Sequence, residues 1–509
     1  MLPNSHPYGL VVAQHPMMSR FRSLLCLLAG VATGWASLAL PARAQNDFLT
    51  DLLLPESQER ALAEQEHPKV LAQFGGEYRD PELLRYVQGL TEFLGRTSAR
   101  PDLQYRVTIL NSPVVNAFAL PAGYVYVTRG LLALADSEAE LAGVLAHEIG
   151  HVTARHTAQR YSRTLLAQGI LGLLGQATQG TQLGGLAEIA APAALIALQG
   201  FSREHEHEAD LLGVQTMARA GFDPNAMASF LDKLQAKTAL DSRLAGQAAS
   251  SGGGFDLFST HPRTPERVAR TAAQAGATQV FDPMVERELY LRKIDGLLYG
   301  DDPEQGFVRG QVFAHPALGF RFEVPRGFSL LNGQKQVIAR GPSGAVIRFD
   351  AASGQGLGSA LQYLRNVWGK DMGLQGLERL NINGFPGATG SLRFDNQGEL
   401  VDLRLVAIEA ARNQIYRFMF AAPAAIAGDL RDDFQRTTFS FRRLSRDDRQ
   451  RLRPFRLITY QVRPGDSVSS LAQRLPFAQS REERFRVLNG LAPGQPLQVG
   501  QMVKLVTEQ

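Results

Sequence analysis

The chain has 509 residues, 44% hydrophobic and 20% charged, which excludes wholesale disorder and, at this length, a single ordinary core; roughly two to four domains are expected. Lys and Arg number 53 against 49 Asp and Glu, a net charge of +4. Three of those basic residues and none of the acidic ones lie in residues 1–44, which leaves +1 for the rest and no basis for a nucleic-acid partner.

Residues 1–44 read as a signal peptide. Arg20 and Arg22 make a basic start, Leu24 to Leu40 is mostly apolar, and Ala42-Arg43-Ala44 supplies the small residues for cleavage before Gln45. The competing reading is a membrane anchor, since an apolar run of about 17 residues just spans a bilayer. Cleavage after Ala44 predicts a periplasmic protein. The single cysteine, Cys26, lies inside the apolar run, so the mature chain offers neither a disulfide nor a thiolate ligand.

From Asn46 to about Leu94 the pattern is helical, broken near Gly75-Gly76. Tyr105 to Leu110 alternates as a strand, and Val114 to Leu120 with Tyr124 to Val127 predicts a hairpin turning at Pro121-Ala122-Gly123. Residues 137 to about 163 give the strongest helical pattern. Ser137-Glu138-Ala139-Glu140 reads as a capping box, and Leu141, Val144, Leu145, Ile149 and Val152 share one face. Residues 165–200 are apolar and glycine-rich, interrupted by Pro192; each half is shorter than a membrane span, which favours a buried or cleft-covering helical hairpin over membrane contact.

A charged helix starts at Ser202 and stops at Gly221; residues 242–258 read as a loop, and helical patterns resume from Pro265 to about Leu298. Beyond Asp301-Asp302-Pro303, short alternating strands (Phe320 to Val324, Val346 to Phe349, Leu403 to Ile408, Ile415 to Phe420) are interrupted by helical stretches near 357–369 and 424–436. That predicts an α+β domain of unknown role at 306–446. A small unit closes the chain from about Ile458 to Val506.

The chemistry is concentrated in His147-Glu148-Ile149-Gly150-His151, an HExxH pattern on the strongest helix. Histidines four apart on a helix lie about 40° from each other, so both imidazoles can meet one Zn2+. Glu148 points into the apolar arc, where a bare carboxylate is costly without a charge partner such as a metal-bound water. On the helix from Ser202, Glu206 and Asp210 are again four apart. Glu206 completes a three-ligand site with His147 and His151, and Asp210 can orient a liganding imidazole. Glu204, His205, His207 and Glu208 read as a solvated face, and His156 as surface or as a neighbour of the site.

These motifs resemble the HtpX, BepA and CAAX prenyl endopeptidase family of zinc metallopeptidases. The resemblance rests on His147 to His151, on Ser202-Arg203 with Glu206 and Ala209-Asp210, on Asn116 to Gly123, and on Ser259-Thr260-His261-Pro262. It covers roughly residues 70–275 and implies a mainly helical zincin-type peptidase domain with a small sheet, at 45–300. It further implies Glu206 rather than Glu208 as third ligand and Glu148 as the general base for attack by zinc-bound water. The strand carrying Asn116, Ala117 and Phe118 becomes the one beside the cleft, able to pair with an extended substrate. In BepA-like members the later histidine can fill the metal's open position and hold the enzyme latent, which assigns that role to His261. The chain departs from the family in Ala122, which stands where a glycine is common. It also lacks the helical repeats that follow the peptidase in BepA.

The closing unit, with Tyr460 to Val468, Leu471-Ala472, Val487-Leu488-Asn489 and Leu497 to Gln501, resembles a LysM module, a small βααβ fold that binds N-acetylglucosamine glycans such as peptidoglycan. A LysM-like unit is therefore expected at 454–507. The function implied is a periplasmic zinc endopeptidase cleaving misfolded or stalled envelope proteins. The alternative is a latent, chaperone-like scaffold tethered to peptidoglycan, its zinc site blocked by His261.

Overall fold

The computed structural model describes residues 50–51, 54–164, 200–244, 257, 261, 265–353, 358–396, 398–411 and 413–509. The expected signal peptide, nearly all of the apolar 165–200 segment and most of the 242–258 loop lie outside them. No helix among the described residues is long and apolar enough to cross a membrane.

The chain mixes helices with several sheets. Helix α1 (Glu56–Phe74) ends at Gly75, whose φ of 90° is left-handed backbone, and α2 (Pro81–Thr97) begins with Asp80 accepting the Leu83 N–H. Strands β1 (Arg106–Leu110), β2 (Ala117–Leu120) and β3 (Tyr124–Thr128) make a three-stranded sheet in the order β1-β3-β2. The predicted hairpin is β2–β3, antiparallel, with β2 at an edge. Its turn holds Ala122 at φ 58°, a conformation glycine adopts without steric cost.

Helices α3 (Arg129–Leu134), α4 (Glu138–Thr153), α5 (Arg203–Ala220), α6 (Asn225–Leu244), α7 (Pro265–Ala277) and α8 (Arg287–Lys293) follow. α4 is buried on every face from Ala139 to Val152, packed by α2, α5, α6 and β2. Two expectations for α4 need correction. It stops at Thr153 rather than near 163, because Arg155 adopts a left-handed φ of 57°. Its guanidinium is pulled to Glu59 (2.7 Å), Asp51 and the Leu54 carbonyl, and helical structure restarts at His156. Only half of the capping box forms: Ser137 accepts the Glu140 N–H, but Glu140 turns to the Asp136 N–H and to Lys233.

Beyond β4 (Leu298–Tyr299), strands β5 (Phe307–Arg309), β6 (Val312–His315) and β7 (Phe320–Glu323) belong to a four-stranded sheet. Strands β8 (Ser329–Asn332), β9 (Gln336–Arg340), β10 (Val346–Ser353), β11 (Gln375–Ile382), β12 (Phe385–Asn396), β13 (Glu399–Ala411) and β14 (Gln414–Pro423) form an antiparallel seven-stranded sheet in the order β11-β12-β13-β14-β10-β9-β8. Helix α9 (Arg431–Ser440) packs Phe434 against its phenylalanine-rich face, and β15 (Arg442–Arg443) joins β7.

The last unit runs β16 (Phe455–Gln461), α10 (Val468–Ala472), α11 (Arg481–Leu488) and β17 (Met502–Glu508), the βααβ order expected. It is not a bead on a string. β4 adds to β16 to make the sheet β17-β16-β4, and Leu457, Phe485 and Leu505 belong to the same core cluster as Leu145 and Ile149 of α4. Lys504 of β17, fully buried, donates to the carbonyls of Ala133, Leu134 and Ala135 at 2.8–3.0 Å and pairs with Asp136 at 2.8 Å. Asp136 also holds Lys233 at 2.5 Å, so two lysines and two carboxylates meet at the N-terminus of α4.

Candidate metal centre

Two glycines let α4 and α5 approach closely enough to share a site. A Cβ on Gly150 would stand 2.9 Å from the Ala209 carbonyl oxygen, and one on Gly213 would stand 3.2 Å from the His147 nitrogen. With backbones this close, the short Glu206 and Asp210 side chains reach the histidines of the facing helix.

His147, His151, Glu206 and His261 converge, with one ligand atom from each lying within 4.8 Å of all the others. His147 Nε2 is 3.0 Å from His151 Nε2 and 3.2 Å from His261 Nδ1; Glu206 Oε1 is 2.9 Å from His261 Nδ1 and 3.5 Å from His151 Nε2. Ligand atoms about 2.0 Å from a tetrahedral zinc stand about 3.3 Å apart, the middle of this range. The donor set of imidazoles and one carboxylate also suits that ion. Both Glu148 oxygens are buried without a hydrogen-bond partner among the described residues, so the cluster is polar and under-satisfied as it stands, and a cation fits it.

The remaining expected residues fall around this cluster. Asp210 Oδ1 lies 2.9 Å from His147 Nδ1, which directs Nε2 of that ring at the cluster. Glu148 is fully buried beside a cavity of about 30 Å³, room for a water or two, which His147, His261 and the apolar Val144, Met227 and Phe230 also line. His261 faces two ways: Nδ1 joins the donor set, while Nε2 stands 3.4 Å from Glu148 Oε1. Sequence reasoning missed Arg267 on α7. It grips Asp210 with Nε at 2.6 Å and Nη2 at 2.8 Å, and reaches Glu206 Oε2 with Nη1 at 2.5 Å. His156 is buried, its Nδ1 3.0 Å from His151 Nδ1. The supposed solvated face is partly engaged, since His205 stacks on His156 at 4.2 Å and Glu208 lies 3.4 Å from it.

Charge states follow from burial and neighbours. Burial raises the Glu148 carboxyl above the usual range against the opposing pull of His261 and His147. Burial works the same way on Glu206, but the charge of His261, hydrogen bonds from His151 and His261, and Arg267 outweigh it and hold Glu206 well below that range. Burial also opposes ionisation of Asp210, yet Arg267 and His147 bring it down to about 2. Desolvation drives His151 well below the ordinary imidazole value, toward the neutral form a metal binds.

Along β2, Asn116 accepts the Thr128 N–H at 3.0 Å, so antiparallel alternation turns the main-chain groups of Phe118 toward β3 and those of Ala117 and Ala119 away from it. The Phe118 ring lies in a small core, 4.9 Å from Tyr126 and 5.2 Å from Phe74, and Asn116 is buried. Of the three residues singled out on this strand, Ala117 alone offers main-chain groups outward.

Residues 78–275 match the model of peptidase family M48, and residues 460–506 match that of the LysM domain. The chain carries an M48 peptidase domain and a LysM domain. A beta-barrel assembly-enhancing protease of Escherichia coli is 33% identical over 224 residues, 42% of this chain and 43% of that protein. The mitochondrial metalloendopeptidase OMA1 of Schizosaccharomyces pombe is 32% identical over 223 residues, 42% of this chain and 59% of that protein. A putative beta-barrel assembly-enhancing protease of Vibrio cholerae is 32% identical over 269 residues, 50% of this chain and 52% of that protein. The chain thus spans about half the length of these curated relatives. The M48 match includes all four clustered residues, the β2–β3 hairpin and Arg267.

Proposed function

We propose that this protein is a zinc-dependent endopeptidase of the bacterial periplasm, held latent by His261 until that ring withdraws. The observation that carries the reading is the convergence of His147, His151 and Glu206 beside a buried carboxylate, Glu148, that has no hydrogen-bond partner among the described residues. His147, His151 and Glu206 would hold the ion, with Asp210 and Arg267 fixing His147 and Glu206. When bound, zinc would polarise the scissile carbonyl and acidify a water. Glu148 accepts a proton at its carboxylate and returns it to the leaving amine, a task suited to a group whose pKa burial has raised.

Latency rests on His261, which supplies a fourth donor where a catalytic zinc keeps an open position. The same ring stands beside Glu148, so its withdrawal frees both the metal's fourth position and the base. Ala117 presents main-chain groups to which an extended chain can pair, giving affinity with little sequence preference, while the Ala119 carbonyl already accepts the Thr157 hydroxyl at 3.3 Å. That suits misfolded or stalled envelope proteins, and the names of the E. coli and V. cholerae relatives connect such a peptidase with β-barrel assembly. The signal-like residues 1–44 support export, and the LysM domain supports tethering to peptidoglycan.

The test is zinc content and cleavage of an unfolded protein, measured side by side. Glu148→Gln is expected to keep zinc and lose cleavage, His147→Ala to lose both, and His261→Ala to raise cleavage above wild type. Normal proteolysis by Glu148→Gln ends the enzyme reading. Zinc binding with no cleavage in wild type and His261→Ala alike favours the scaffold instead.

A further inference from the structure

His156 lies outside the metal-ligand set, yet it is 1% exposed and its Nδ1 stands 3.0 Å from His151 Nδ1. A helix continuing through these residues would carry position 156 about 140° around the axis from position 151, away from that ring. The break at Arg155 changes this. Its left-handed φ of 57°, with the guanidinium held by Glu59 and Asp51, turns the chain so that His156 folds back onto His151. On its far side, His156 Nε2 lies 3.4 Å from Glu208 Oε2, and the His205 ring stacks on it at 4.2 Å.

These contacts fix where the protons sit. A carboxylate only accepts, so the hydrogen bond to Glu208 places a proton on His156 Nε2 and leaves Nδ1 of the neutral ring as an acceptor. His151 then donates from its own Nδ1, and its Nε2 carries the lone pair. That nitrogen is the one aimed at the cluster, 3.0 Å from His147 Nε2 and 3.5 Å from Glu206 Oε1. His147 is treated alike by a shorter route, since its Nδ1 meets Asp210 directly at 2.9 Å. For His151 an imidazole stands between the ring and its carboxylate.

We propose that His156 is a positioning residue for the metal centre: with Glu208 behind it, it holds His151 in the tautomer and orientation that turn the Nε2 lone pair toward the ion. The left-handed turn at Arg155 delivers that ring to its place. This role presupposes the zinc reading of the site.

Zinc affinity by chelator competition and the visible spectrum of the cobalt-loaded full chain test it, with thermal unfolding of the chelated protein as the check on folding. His156→Phe keeps a flat ring against His205 and removes both nitrogens. It is expected to weaken zinc binding about 10–100-fold and to change the cobalt bands, while the chelated protein still unfolds in one cooperative transition. His156→Asn keeps an acceptor, because Oδ1 takes the place of Nδ1, and is expected to recover most of the affinity and the wild-type bands. Glu208→Ala, at a partly exposed position, is expected to fall between the two, and it carries the test where His156→Phe does not fold. Unchanged affinity in His156→Phe or in Glu208→Ala, or equal impairment of His156→Phe and His156→Asn, overturns the role and leaves the zinc reading standing. Wild type that takes up no zinc overturns both.

Discussion

Lys504→Met tests whether the LysM domain helps to hold the catalytic helix. The substitution keeps most of the side-chain volume and removes the charge. It strips Asp136 of a partner at 2.8 Å and leaves three buried carbonyls, at residues 133–135, without their donor. Breaking a buried ion pair from one side costs about 3–5 kcal/mol. Lys233 remains on Asp136 at 2.5 Å and Arg287 lies at 3.5 Å, so the lower end applies, about 3 kcal/mol. The assay is urea denaturation of the full chain with hydrogen exchange read by mass spectrometry over residues 130–153 and 455–506. Both segments are expected to lose protection together, because they share one core. A loss under about 1 kcal/mol, the scale of an ordinary exposed pair, or deprotection confined to 455–506, refutes the reasoning.

Three further outcomes follow from the site. Gly150→Ala would place a methyl 2.9 Å from the Ala209 carbonyl and force α5 outward; it should lower zinc affinity in a chelator competition while leaving helix content by circular dichroism unchanged. Arg267→Lys cannot reproduce the fork on Asp210 while also reaching Glu206, and should weaken zinc binding about 10–100-fold, read in the same competition. In chelated protein, Asp210 has a folded pKa of about 2 against the ordinary 3.8, which corresponds to about 2 kcal/mol of stability. Because the folded value is depressed, that contribution is fully present above about pH 4 and is lost as pH falls toward 2. Asp210→Asn should flatten this acid limb of the denaturation midpoint.

What the sequence disclosed here was periodic and local. The HExxH spacing, Glu206 with Asp210 one turn on, and the Pro-Ala-Gly hairpin each depend on neighbours within a few residues, and each is found in place. The misses are long-range. Arg267 joins Asp210 from 57 positions away and is one of 53 basic residues, with nothing local to single it out. The end of α4 carries no glycine or proline; Arg155 is turned out of the helix by acids about a hundred residues earlier. Lys504 looks like the solvated member of an alternating strand, Met502-Val503-Lys504-Leu505-Val506, until the docking of β17 buries it. A capping box reads equally well whether or not its glutamate is claimed by a distant lysine, and here Lys233 claims it.

The strand β4 is only two residues long, yet by joining β16 it stitches the peptidase to the final module through main-chain hydrogen bonds. An anchor fastened in this way has no swivel. If the module grips a sugar strand, the mouth of the active site keeps one bearing relative to the wall, and clients must diffuse to a stationary blade.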